Sequence, residues 1–163
     1  LVAEGIEKPG NLGSLLRIAD GAGAAAVIVC DGCTDINNPN VVRSSVGTIF
    51  AVPVVESTSR ETIDWLRKKE IQILAACLDT DTEYAGLDLS GRLAVTVGAE
   101  KPGLSQIWTD AADLRARIPM RGRGDSLNVS ISAAVLLYEA VRQRQHSSDA
   151  RFEIRDARCH SGR

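Results

Sequence analysis

The stretch Ser126-Leu127-Asn128-Val129-Ser130, running into the apolar segment 131–141, decides how this chain is read. A polar turn that feeds straight into a long apolar periodicity marks the start of a closing helix. Ser126 or Asn128 would cap that helix, yet a cap accounts for one polar residue there more readily than for three, Ser130 included. Two more polar loops stand at the ends of apolar segments upstream. One is Pro9-Gly10-Asn11-Leu12-Gly13 with Arg17, and the other is Gly98-Ala99-Glu100-Lys101-Pro102-Gly103. Three Gly- or Ser-rich loops, each with one or two strong hydrogen-bonding side chains, point to one composite site.

Outward from these loops, short apolar runs alternate with helical periodicity. Residues 1–3, 26–30, 50–55, 72–78, 93–97 and 116–119 read as strands. Residues 11–22, with Leu12, Leu15, Leu16 and Ala19 on one face, read as a helix, as do 39–46, 60–69 and 127–143. Near-continuous apolar strands such as 72–78 and 93–97 are expected where both faces of a sheet are covered. The alternation predicts an α/β fold, a mostly parallel sheet with helices on both faces. A length of 163 residues suits one core, assigned to 1–145. From His146 the periodicity stops, and 146–163 reads as a flexible tail whose Arg151, Arg155, Arg158 and Arg163 nearly balance Asp149, Glu153 and Asp156.

The net charge of −2 exerts no global pull on nucleic acid, so any RNA contact must come from a local patch. The loop 119–125, with Arg121 and Arg123 beside glycines, suits a phosphate backbone, but has no aromatic stacking platform. The longest apolar run, 24–30, is too short to span a bilayer, and no membrane partner is expected. Cys30, Cys33, Cys77 and Cys159 are scattered as reduced thiols of a cytoplasmic protein would be. Cys30-Asp31-Gly32-Cys33 has the spacing of half a zinc site, but no second pair accompanies it and both histidines, His146 and His160, lie in the tail; no metal is expected. The chain begins at Leu1, which suggests removal of a preceding segment.

Gly21-Ala22-Gly23-Ala24-Ala25-Ala26 fits a dinucleotide fingerprint, but a helix precedes it and a strand follows, the reverse of the order that brings phosphate to a helix N-terminus. The glycines are read as a helix end, which opposes an NAD-dependent oxidoreductase. Asn11 is a natural N-cap, and Arg17, six residues on, is open to a surface or a functional reading. Gly98, at the end of a strand, lets a ligand approach the backbone. Glu100 beside it either orients a ligand group or caps a helical turn starting near Leu104. With both histidines outside the core there is no plausible nucleophile–base pair, so the remaining chemistry is positioning and polarisation in a group transfer from an activated donor.

Taken together, three stretches resemble the SpoU (TrmH-type) RNA 2′-O-ribose methyltransferases of the SPOUT superfamily. They are Glu7-Lys8-Pro9-Gly10-Asn11-Leu12-Gly13-Ser14-Leu15-Leu16-Arg17, Val97-Gly98-Ala99-Glu100-Lys101-Pro102-Gly103-Leu104-Ser105, and Ile118-Pro119-Met120 followed by Ser126-Leu127-Asn128-Val129-Ser130. The segment Asn38-Pro39-Asn40-Val41-Val42-Arg43-Ser44-Ser45-Val46-Gly47 is similar to the family as well, and the likeness covers about residues 1–143. The resemblance implies a C-terminal trefoil knot, S-adenosylmethionine as cofactor, tRNA or rRNA as substrate, and a homodimer whose active site is completed across the interface. It implies main-chain cofactor contacts at Gly98, Ile118 and Leu127, with Leu78, Glu100, Gly103 and Met120 around them. It implies catalytic roles for Arg17, Asn11, Glu100, Ser126 and Asn128, Arg17 acting on the ribose 2′-hydroxyl. Many relatives carry an RNA-binding domain ahead of the first stretch, where this sequence starts. A non-catalytic RNA-binding or assembly module on the same fold is the alternative, and retention of all five polar residues argues against it.

Overall fold

The structure, a computed structural model, describes residues 1–32 and 34–160 along the backbone, and the side chains among them up to residue 146. In chain order the elements are β1 (Val2–Glu4), α1 (Pro9–Gly21), β2 (Val27–Cys30), α2 (Pro39–Ser45), a 3₁₀ turn (Thr48–Phe50), β3 (Val54–Ser57), α3 (Ser59–Lys68), β4 (Gln72–Ala76), a second 3₁₀ turn (Tyr84–Gly86), β5 (Leu93–Val97), α4 (Gln106–Ala111), β6 (Leu114–Ala116) and α5 (Val129–His160). The six strands form one sheet in the order β3-β2-β1-β5-β4-β6, every neighbouring pair parallel. β6 therefore returns to the side of β4 away from β5.

Alternation along the strands sorts the buried side chains onto two faces. Ala3, Val27, Val29, Leu74, Val95 and Val97 pack with Leu12, Leu15, Leu16 and Ala19 of α1, Val41 of α2 and Ala133, Leu136 and Ala140 of α5. Val2, Cys30, Ile73 and Ala94 pack with Ile63 and Leu66 of α3 and Trp108 and Ala111 of α4. Helices thus cover both faces. Each fully buried leucine of α1 contributes roughly 1.5–3 kcal/mol.

Several boundaries differ from the sequence reading. α1 starts at Pro9 with Lys8 in the N-cap position and no side-chain cap, so Asn11 lies inside the first turn and does not cap it. β3 starts four residues later than read, at Val54, because Thr48–Phe50 forms a 3₁₀ turn and Pro53 has no N–H to give a ladder. The last strand is Leu114–Ala116, before Pro119. α5 starts at Val129 and its backbone runs on to His160, well past residue 143. The tail assigned to 146–163 has its side chains outside the described residues from 147 onward, as does Cys33 and with it the CxxC pair. The Gly21–Ala26 segment does end α1 and precede β2, as read. No helix among the described residues is long and apolar enough to cross a membrane.

Candidate active site

The carboxyl ends of β4, β5 and β6, at Ala76, Val97 and Ala116, open into a cleft of about 550 Å³, a size typical of small-molecule sites. In parallel sheets, strand ends are where loops can converge on a ligand. Gly98, Gly103, Glu100, Ile118, Leu127 and Leu78, six of the seven residues expected around a cofactor, line it. Met120 is not among the lining residues. Ser126 and Asn128 line the same cleft.

The second loop takes its shape from two glycines. A Cβ on Gly98 would collide with the main chain of Gly103 and Leu104, and Gly103 has φ +93°, where L side chains are strained. The loop therefore folds back against its own strand end and leaves main-chain groups facing the cleft.

Side chains from all three loops join in one hydrogen-bonded chain. Lys8 Nζ donates to Glu100 Oε2 in an ion pair. Asn11 Nδ2 donates to Glu100 Oε1 at 3.1 Å. Asn128 Nδ2 donates to Asn11 Oδ1 at 3.1 Å, and Asn128 Oδ1 accepts from Ser130 N at 2.9 Å and Ser130 Oγ at 2.6 Å. Asn128 carries both roles weighed for it, because its oxygen caps α5 while its amide nitrogen reaches the first loop. Glu100 is not a helix cap: it faces Lys8 and Asn11, and these two hydrogen bonds, Lys8 first, hold its carboxyl below the ordinary value.

Arg17 stands apart. It is exposed and makes no hydrogen bond or ion pair among the described residues. Six residues along a helix place it about 9 Å beyond Asn11 and roughly 120° around the axis. Asn11, Glu100 and Asn128 are therefore joined by hydrogen bonds and Ser126 lines the same cleft, while Arg17 is not brought to it.

Sequence reasoning missed Lys8, which pairs with Glu100 across 92 residues, and Cys77 and Thr109, which line the cleft. Lys8 adjoins Pro9-Gly10-Asn11, the one local sign that could have singled it out. No group of three or more residues able to hold a metal occurs among the described residues.

Comparison with known proteins gives a consistent picture. A family model described as the SpoU rRNA Methylase family matches residues 1–138. The 23S rRNA (guanosine-2'-O-)-methyltransferase RlmB of Coxiella burnetii is 35% identical over 146 residues, covering 89% of this chain and 58% of that protein. The crystal structure of an RNA 2'-O ribose methyltransferase superposes with a TM-score of 0.81 at 43% identity, over 89% of this chain and 57% of that one. The SpoU methyltransferase AviRb of Streptomyces viridochromogenes, solved in complex with AdoMet, superposes with a TM-score of 0.84 at 34% identity, over 89% and 60%. This chain thus spans less than two thirds of the length of these relatives.

Proposed function

Since the chain belongs to the SpoU rRNA methylase family, we propose that it transfers a methyl group from S-adenosylmethionine to a ribose 2′-hydroxyl of structured RNA, tRNA or rRNA. The observation that carries this reading is the chain Lys8–Glu100–Asn11–Asn128–Ser130, which ties three distant loops together beside the cleft. A non-catalytic binding module has no need of a carboxylate and two amides locked in fixed orientation there.

The residues present fit the cofactor. Gly98 leaves space only for main chain, and Ile118 and Leu127 border the same cleft, so main-chain groups of these three would hold S-adenosylmethionine, with Leu78, Glu100 and Gly103 beside them. When bound, it supplies a methyl on a sulfonium, which becomes a neutral thioether as the 2′-oxygen takes the methyl and loses its proton. The chain's part is to hold that oxygen in line and ease the proton's departure. A guanidinium is a poor base, so Arg17 anchors a phosphate and lowers the hydroxyl's pKa. Asn11, Asn128 and Ser126 orient the nucleotide, and Glu100 fixes Asn11. The 2′-hydroxyl makes RNA the substrate.

Arg17 reaches a cleft by way of a second copy in this reading. Homodimerisation is supported by α5, where Ile131 and Tyr138, two turns apart on one face, are each about half exposed. In this reading the catalytic domain spans residues 1–145, acts in the cytoplasm and calls on neither metal nor membrane. Its C-terminal part forms a trefoil knot, a feature supported by the return of β6 across β4.

The deciding experiment incubates the protein with S-adenosylmethionine labelled in its methyl group and with bulk tRNA and rRNA, then maps ribose 2′-O-methylation. Label on ribose is expected. Donor binding without transfer favours the binding module, and absence of donor binding ends the reading.

A further inference from the structure

Outside the hydrogen-bonded chain described above, Glu4 is the acidic residue most deeply enclosed among the described residues, 8% exposed at the end of β1. Its Oε2 accepts from Ser105 N at 2.7 Å. Its Oε1 accepts from Ser105 Oγ and, at 3.2 Å, from Ser59 Oγ. Ser59 Oγ accepts in turn from the buried Trp108 Nε1 at 2.7 Å, and Ser59 N donates to Asp31 Oδ2 at 3.1 Å. Glu4 forms no ion pair among the described residues; neutral donors alone satisfy it. A buried carboxyl is costly to keep without such partners, and it locks their geometry when it has them.

Ser105 is where the second loop ends and α4 begins, next to Leu104, whose nitrogen packs against Gly98. Glu4 is also followed, after Gly5, Ile6 and Glu7, by Lys8. One carboxyl therefore joins the strand leading to the first loop with the far end of the second.

We propose that Glu4 is a positioning residue for methyl transfer: it clamps Ser105 so that the loop 98–104 stays folded against β5 and presents its main chain to the donor. The inference rests on the donor-binding reading of the cleft. Its two partners separate positioning from plain stability, since Ser105 belongs to the donor loop while Ser59 serves α3 and Trp108 on the far face of the sheet.

The test compares Glu4→Gln, Ser105→Ala and Ser59→Ala, each checked for folding by its thermal transition. Calorimetry with S-adenosylmethionine should show donor affinity falling about tenfold or more in Glu4→Gln and Ser105→Ala, with KM for RNA unchanged. Ser59→Ala should melt earlier yet bind donor within about twofold of wild type. Amide exchange without donor should rise across 98–105 in the first two variants and stay as it was across 39–46. Folded Glu4→Gln with wild-type donor affinity, or Ser59→Ala as weakened as Ser105→Ala, overturns the assignment. If the wild-type protein binds no donor, the cleft reading fails, and the exchange contrast still decides whether Glu4 holds the loop.

Discussion

Asn128 donates from its amide nitrogen to the amide oxygen of Asn11 at 3.1 Å, across 117 residues of sequence. The bond fixes both amides. Asn128 must turn its oxygen to Ser130 to cap α5, which leaves only its nitrogen for Asn11. Asn11 must then present oxygen to Asn128 and nitrogen to Glu100.

Asn128→Asp keeps the cap oxygen and reverses the other contact, setting a carboxylate against Asn11 Oδ1. The expected outcome is a stability changed by no more than about 1 kcal/mol and a turnover reduced by about 100-fold or more. Asn128→Ala should lose roughly 1 kcal/mol of stability as well, because the cap goes with it. Melting curves beside methyl-incorporation rates measure both. Wild-type turnover in Asn128→Asp would show that the amide orientation does not matter.

Lys8 is the leading cause of the lowered Glu100 carboxyl, and Lys8→Met removes it. A carboxyl lowered on folding adds stability above its ordinary value of 4.5, and that contribution is lost as pH falls through the folded value. Asn11 is held by the ionised Glu100 carboxylate, so turnover falls as that carboxylate is protonated, and the acid limb of the pH–rate profile should move to higher pH in Lys8→Met. The pair is exposed, so added salt should shrink the difference between variant and wild type. An acid limb that stays in place would remove Lys8 from the site.

Gly98 and Gly10 make a controlled pair. A Cβ at Gly98 meets main chain on the folded-back loop, whereas one at Gly10 meets nothing within 4 Å. Gly98→Ala should cost about 1–3 kcal/mol of stability and abolish measurable donor binding. Gly10→Ala should leave calorimetric affinity within about twofold of wild type. Equal behaviour of the two variants would mean that the loop yields freely.

How far the sequence discloses this site depends on how local each cause is. The strands 72–78 and 93–97 are legible because both faces of the sheet are covered, which leaves apolar runs. β3 is legible only at Val54 and Val55, since the apolar run 50–55 is split between a 3₁₀ turn and an edge strand, and the break lies at Pro53. Asn11, Glu100 and Asn128 stand out as polar residues in glycine-rich turns. Lys8 and Glu4 do not: Lys8 stands beside its glycine turn as any surface cation would, and Glu4 ends a three-residue strand, so only the contacts to Glu100 and Ser105 reveal them. α5 outruns its reading because periodicity reports packing, and among the described residues Ala140 is the last of α5 in the buried core.

Cys77 lines the same cleft as Gly98 and Leu127, and burial pushes its thiol above the ordinary value. Alkylation should be slow near neutral pH and should quicken as pH rises. Saturating S-adenosylmethionine should slow it further, while Cys30, on the far face of the sheet, stays indifferent to donor. Peptide mass spectrometry after timed alkylation separates the two thiols. Equal rates at Cys77 with and without donor would place the donor elsewhere.

Arg17 gives the sharpest test of a shared site, because it is exposed and outside the cleft of its own chain. Arg17→Ala and Glu100→Gln should each be nearly inactive alone. In a site built from two copies, a mixed dimer restores one complete site, with Glu100 from the first variant and Arg17 from the second. Random exchange makes roughly half of the dimers mixed, each with one intact site of two, so activity should recover to about a quarter of wild type. If Arg17 serves its own chain, every site in the mixture lacks one of the two groups and nothing is regained. Mixing the purified variants, allowing subunits to exchange, and measuring methyl incorporation distinguishes the two arrangements in one assay.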